Sequence, residues 1–177
     1  MDTLFATLNA LHSLNDRLKN AIDDDLHKFR EFVALKALRN LTHHSEEVHS
    51  NVRVVPAPGL SDLMFLCIVR RDQVEHAIAN TGERWRDVTQ LACETVFHWY
   101  GQAVNINPCI FNVMVHVYEM LENVELMSDD EASDVFRQIY LSETEDGRSH
   151  FVDGKVSGRA GDIDRVLSAM VENLPKP

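Results

Sequence analysis

The chain has 177 residues, 45% of them hydrophobic and 25% charged, which is typical of one globular domain. A chain of this length buries roughly 70% of the surface that it exposes when unfolded, so it needs no disulfide or structural metal to fold. Its net charge of −11 would oppose binding to a nucleic acid if it were spread over the whole chain, but the distribution of the charges matters more than their sum.

Apolar periodicity predicts six main helices, near residues 3–22, 26–49, 62–79, 83–104, 108–126 and 129–141. The first carries apolar residues at steps of three and four, from Leu4 to Ile22. Three aspartates, residues 23–25, precede the second helix and can cap it. Residues 51–59 (NVRVVPAPG) predict an extended connector, because β-branched residues lead into two prolines and a glycine.

The third helix begins with an apolar run that ends at Arg70-Arg71. We interpret these two arginines as cations that complement a C-terminal helix dipole, and the alternative is that they line a substrate groove. In the fourth helix, a buried face is expected from six apolar residues: Trp85, Val88, Leu91, Ala92, Val96 and Trp99. The serine and acidic residues that open residues 128–141 favour a helix start.

Residues 142–161 contain four glycines and little apolar periodicity, so we expect a loose segment there, followed by a short C-terminal helix over residues 163–174. The predicted fold class is therefore all-α, a helical bundle of six or seven helices. Residues 1–141 form the bundle, and residues 142–177 form a loop segment and a short helix that pack on the same domain.

The cellular compartment is indicated by the cysteines and by the absence of export signals. Cys67, Cys93 and Cys109 are widely spaced in apolar stretches without a CxxC pair, which favours buried thiols in a reducing compartment. The N-terminus has no secretory pattern, and the longest apolar run, residues 63–69, is far shorter than the roughly 20 residues of a membrane span. We expect a cytoplasmic protein without membrane contact.

The acidic charge is concentrated in one segment. Residues 119–146 hold ten acidic residues against one base, Arg137, so this segment carries −9 and the rest of the chain only −2. Salt screens an acidic surface over about 8 Å, which leaves an RNA contact possible elsewhere. The segment itself predicts an alternative function, that of a non-enzymatic interaction or adaptor protein whose acidic surface binds a basic protein partner.

Six residues near the end of the second helix, Arg39 to His44 (RNLTHH), carry the strongest indication of chemistry. An arginine holds phosphate with a fixed positive fork, and a histidine titrates near neutral pH, so together they can bind and cleave a phosphodiester. The pattern R-N-x-x-x-H resembles the signature of the HEPN superfamily, small all-α domains that are often metal-independent ribonucleases. The resemblance covers the motif and its helix.

The resemblance implies a role for each matching residue. Arg39 binds the scissile phosphate, His44 acts as general base or acid on the 2′-hydroxyl, and Asn40 orients the backbone or the histidine. It further implies a homodimer, an RNA substrate, no cofactor or metal, and a place in a toxin–antitoxin or phage-defence system. A related fold that binds RNA or a protein without cleavage is the alternative within the same family.

Helix geometry separates the two end residues of the motif. At 100° per residue, Arg39 and His44 point about 140° apart on a regular helix, whereas His43 lies on the side of Arg39. Three arrangements stay open: the helix unwinds near Thr42, a dimer partner supplies the missing group, or His43 takes the histidine role. We place His44 first and His43 second.

Rival sites compete with this motif. Glu46-x-x-His49 has the spacing of a di-metal helix, but the chain has no second ExxH; two other acid–histidine pairs could complete a site, Glu94 with His98 and His116 with Glu119.

Two further segments have a functional and a structural interpretation. Four side chains of the predicted fourth helix could stack bases or lie in the core and at an interface: Trp85, His98, Trp99 and Tyr100. The basic residues among the glycines of 147–161 could contact phosphate or belong to a surface loop.

Overall fold

The computed structural model describes residues 3–44, 48–56 and 63–154, together with residues 165, 166, 168, 172 and 174. Over this part of the chain the ten elements, in order, are α1 (Thr3–Ile22), α2 (Arg30–His44), β1 (Ser50–Pro56), β2 (Leu63–Arg70), α3 (Arg71–Ala79), α4 (Glu83–Val96), β3 (His98–Tyr100), β4 (Ala103–Asn105), α5 (Asn107–Asn123) and α6 (Glu131–Glu145). A 3-10 turn, Leu26–Lys28, precedes α2. The prediction of a largely helical chain is confirmed, but the all-α class is wrong, because the four strands form an antiparallel sheet in the order β1-β2-β4-β3.

The helix predicted over residues 62–79 is half strand. Its apolar first part is β2, which pairs with β1 on one side and β4 on the other, and its polar second part is α3. A short continuous apolar run suits a buried strand as well as a helix, and periodicity cannot distinguish them. Arg70 and Arg71 therefore lie at the start of α3 and not at a helix C-terminus, and the predicted connector contains β1.

Both faces of β2 are covered. Cys67 and Val69 belong to the main core, which the helices build, while Leu66 and Ile68 pack with Ala103 and Val166 in a second, smaller cluster. Successive side chains of a strand point to opposite faces, so residues 66–69 are all apolar because each face meets its own cover.

The helix predicted over residues 83–104 ends at Val96 and is followed by a β-hairpin. Strands β3 and β4 pair from His98–Asn105 to Tyr100–Ala103, which leaves a two-residue turn in which Gly101 has φ +60°. Glycine adopts this left-handed conformation without a Cβ clash, so the turn is compatible with the sequence.

Several other predicted limits are shifted. The second helix, expected over 26–49, is the 3-10 turn and then α2, and the fifth, expected over 108–126, is α5. The sixth, expected over 129–141, is α6, so the first four residues of the predicted loose segment are helical. Residues 155–161 and most of the predicted C-terminal helix lie outside the described residues. The division at residue 141 stays a prediction.

Helix α2 is the centre of the main core. Phe32, Leu35, Leu38 and Leu41 of this helix are fully buried, and α1 covers them with the predicted leucine stripe. All three cysteines are buried and form no disulfide. Within the described ranges, no helix has the length and apolar character required to cross a bilayer.

The predicted buried face of α4 is wrong in three positions. Ala92 is buried as expected, but Trp85, Val88 and Leu91 are 57%, 53% and 54% exposed. Helix α4 contacts α2 through the side that holds Thr89, Ala92 and Cys93, and this contact covers only part of the wide apolar arc. An apolar stripe is left on the surface beside the C-terminal half of α2.

Candidate functional site

The motif segment lies at the C-terminal end of α2, which stays helical through His44. The Thr42 hydroxyl donates to the carbonyl of Leu38 at 3.1 Å, a local bond that a regular helix permits. The first of the three arrangements, unwinding near Thr42, is therefore wrong for the described chain. Arg39 and His44 keep the divergent directions of residues five apart on a helix.

Arg39 is directed towards α1. Its Nε donates to Oδ1 of Asn9 at 3.2 Å, and its Nη1 lies 3.4 Å from Oδ1 of Asn40. Burial lowers the pKa of His12 on α1, and the nearby charges of Arg39 and then His43 lower it further. Arg39 and His43 are therefore close to the same part of α1, as the helix geometry predicts.

Asn40 and His44 open instead on a groove between α2 and the α3–α4 connection. The groove has a volume of about 760 Å³, and Arg39 and His43 are not among its lining residues. Val33, Ala37 and Leu41 form part of its apolar floor, and four further polar side chains of this side are Lys19, Asp25, His27 and Lys36. A cleft of this size with an apolar floor and a few polar groups is typical of a small-ligand site.

One wall of the groove contains a short chain of polar contacts. Nζ of Lys36 lies 2.6 Å from Nε2 of His27, and Nδ1 of His27 lies 3.5 Å from Oδ1 of Asp25. Burial and then the Lys36 charge lower the pKa of His27, and burial also lowers the pKa of Lys36. The imidazole is thus neutral at pH 7, and its Nε2 accepts a hydrogen bond from the Lys36 ammonium group.

The opposite wall carries an exposed indole. Trp85 and Val88 line the groove beside Asn80 and Thr81, and the Arg84 guanidinium lies 5.0 Å from the Trp85 ring centre. The aromatic cluster predicted on one helix is divided by the fold, because the other three members lie on β3.

The rival sites differ in how far the structure describes them. Glu46 lies outside the described residues, and among those described no group of three or more His, Cys, Asp or Glu side chains is arranged to hold a metal ion. His116 lies 3.5 Å from a carboxylate oxygen of Glu31 and stacks on Phe29 at 3.9 Å between ring centres, which is a structural contact.

In the glycine-containing segment, Arg148 pairs with Asp146 at 2.8 Å. Lys155 and Arg159 lie outside the described residues, so a phosphate contact of this segment stays a prediction.

The sequence analysis did not identify His27 and Lys36. Their sequence separation of nine residues has no motif, and they meet only because the 3-10 turn folds back beside α2. A partial signal was available: Lys36, Asn40 and His44 are spaced by four residues and must share one face of a helix.

Comparison with known proteins gives no relative on which to base an assignment. No family model, no curated protein and no solved structure matches the chain.

Proposed function

We propose that the protein is a HEPN-like RNA-binding protein and, in its active form, a metal-independent endoribonuclease whose site is the groove beside α2. The observation that supports this proposal is that Asn40 and His44 of the motif open on the same groove as two ammonium groups, Lys19 and Lys36, and an exposed indole, Trp85. Cations, an imidazole and an aromatic ring in one cleft are what a single strand of RNA requires.

The chemistry needs no group beyond the chain, the RNA and water. The His44 imidazole takes the proton of a 2′-hydroxyl, whose oxygen attacks the adjacent phosphorus. The bond from phosphorus to the 5′-oxygen breaks, that oxygen takes a proton from water, and a 2′,3′-cyclic phosphate and a 5′-hydroxyl are the products. DNA is resistant because it has no 2′-hydroxyl.

Arg39 acts indirectly in this arrangement. Because its guanidinium faces Asn9 and lies 3.4 Å from the Asn40 side-chain oxygen, it is a positioning residue for Asn40. His43 lies on the same side of α2 as Arg39. The two adjacent histidines are therefore expected to differ in their effect on cleavage. Loss of His44 lowers the cleavage rate by about 100-fold or more, and loss of His43 does not.

The test is incubation of the purified protein with several RNAs in EDTA. We expect wild-type cleavage with cyclic-phosphate ends and a rate lower by about 100-fold or more in His44→Ala, the usual effect of losing a general base. His76→Ala is the matched control, since His76 is exposed on α3 and does not line the groove. Absence of cleavage by the wild type, or equal cleavage by His44→Ala, rejects the enzymatic form of the proposal.

The resemblance also implies a homodimer and a role in a toxin–antitoxin or phage-defence system. The molar mass in solution, measured by light scattering across a concentration series, tests the first. Growth arrest on expression of the wild type, absent with His44→Ala, tests the second.

A second candidate is supported by α6. This helix has no buried residue, and it exposes Val135, Ile139 and Leu141 among acidic side chains. Such a surface suits a basic amphipathic segment of a protein partner. The test is binding of a synthetic Lys/Leu helical peptide. Binding that weakens in high salt and after combined Asp129→Asn and Glu131→Gln substitution would support this function, and unchanged binding would reject it.

A further inference from the structure

The groove places three side chains of α2 in a row. Lys36, Asn40 and His44 are four residues apart, all three line the groove, and α2 is helical over the whole span. Side chains at this spacing lie one above the other, with a rise of about 6 Å from each to the next. The row therefore presents a cation, an amide and an imidazole in sequence along one wall, whereas Arg39 lies outside it.

Lys36 is held in this row by its contact with His27. Since the imidazole is neutral, the 2.6 Å contact fixes the direction of the ammonium group without compensating its charge. Asp25 and Asp16 favour the charged form of Lys36, and Arg39 and Lys19 oppose it. An ammonium group that is held in place on a concave wall is suited to an anion, and RNA offers a phosphate.

The opposite wall determines which part of the nucleotide lies there. Trp85 is 57% exposed, although it is the largest apolar side chain of the groove, so part of its ring surface can be reached by a ligand beside the Arg84 guanidinium. Base stacking on an aromatic ring tolerates any base. A phosphate on one wall and a base on the other fit a single unpaired nucleotide.

We propose that Lys36, oriented by His27, is the phosphate-binding residue of the groove, and that Trp85 is the platform for the base of a single-stranded nucleotide. The assignment of the ligand as RNA rests on the proposed function. Lys36 thus takes the role that the sequence pattern assigns to Arg39, and the functional row is Lys36-Asn40-His44.

The experiment measures binding of two probes, uridine 3′-monophosphate and uridine, by isothermal titration calorimetry in EDTA. We expect Lys36→Gln to weaken binding of the nucleotide by about tenfold or more and that of uridine by less than about twofold, because only the nucleotide has a phosphate. Trp85→Ala should weaken both probes by the same factor. Lys36→Arg should restore most of the nucleotide affinity.

Lys28→Gln is the matched control, because Lys28 lies in the same 3-10 turn as His27, pairs with Asp24 and does not line the groove. Circular dichroism and melting curves establish that each variant is folded. The proposal is overturned if the wild type does not bind the nucleotide, or if Lys36→Gln and Lys28→Gln bind it equally.

The binding experiment and the cleavage assay test the phosphate site and the ribonuclease activity independently of each other. Nucleotide binding that depends on Lys36, with no RNA cleavage by the wild type, supports the phosphate site and rejects the ribonuclease. Cleavage that depends on His44 but not on Lys36 supports the ribonuclease and rejects Lys36 as its phosphate ligand.

Discussion

The salt dependence of RNA binding gives a quantitative test of the groove. Cations that neutralise phosphates release bound counterions, so the logarithm of the binding constant falls linearly with the logarithm of the salt concentration. For a single strand the slope is about −0.7 for each neutralised phosphate. The groove is lined by two ammonium groups, Lys19 and Lys36, so the expected slope is about −1.4.

This slope corresponds to an affinity that is about sevenfold lower at 200 mM than at 50 mM salt. In Lys36→Gln one ammonium group is lost, so the slope should fall to about −0.7 and the change in affinity to about 2.6-fold. Arg39→Gln and Lys28→Gln should keep the wild-type slope, because neither residue lines the groove.

The assay is fluorescence anisotropy of a labelled single-stranded RNA titrated with protein at a series of salt concentrations. Equal slopes for the wild type and Lys36→Gln would refute the reasoning. A reduced slope in Arg39→Gln instead would indicate that Arg39, and not Lys36, binds the phosphate. A wild-type slope of about −3 or steeper would locate the RNA on a surface other than the groove.

Three further predictions concern the scaffold. Asn15 is 2% exposed and accepts from the backbone N–H of Leu26 at 2.8 Å. Asn15→Ala should therefore lower the free energy of unfolding by about 1–3 kcal/mol in urea titrations, and no change would show that water replaces the bond. Phe32→Ala in the core should lower the free energy of unfolding by about 3–5 kcal/mol, whereas Leu91→Ala on the exposed stripe should change it by no more than about 0.5 kcal/mol. A large loss of stability in Leu91→Ala would mean that the stripe is covered in solution. Burial raises the pKa of the Cys93 thiol to about 12. The unfolded thiol, with its ordinary pKa near 9.0, loses its proton at a pH at which the folded thiol still keeps it. The free energy of unfolding should therefore fall as the pH rises above about 9.0, and Cys93→Ala should remove this part of the pH dependence.

The candidate site was only partly predictable, for a geometrical reason. The pattern located the correct end of α2, and the angle between residues five apart predicted that Arg39 and His44 diverge. The groove could not be anticipated, because its second wall comes from α4 and its cation is oriented by the 3-10 turn. Contacts of this kind join residues that no local spacing relates.

The sequence by itself determined the elements whose apolar pattern has one interpretation. The leucine stripe of α1 and the buried face of α2 are examples, since a period of three to four residues over several turns suits only a helix that packs on one side. It also determined that the cysteines are buried, because each lies in an apolar stretch.

Only the tertiary structure decided the elements whose local pattern was ambiguous. Residues 63–69 form a strand because β1 and β4 pair with their backbone and two separate clusters cover the faces of residues 66–69. A continuous apolar run permits either structure without those partners. Trp85, Val88 and Leu91 are exposed because α2 packs on the adjacent side of α4. Local sequence sets which faces of an element are apolar, while burial depends on which partners reach those faces, and that is a property of the whole chain.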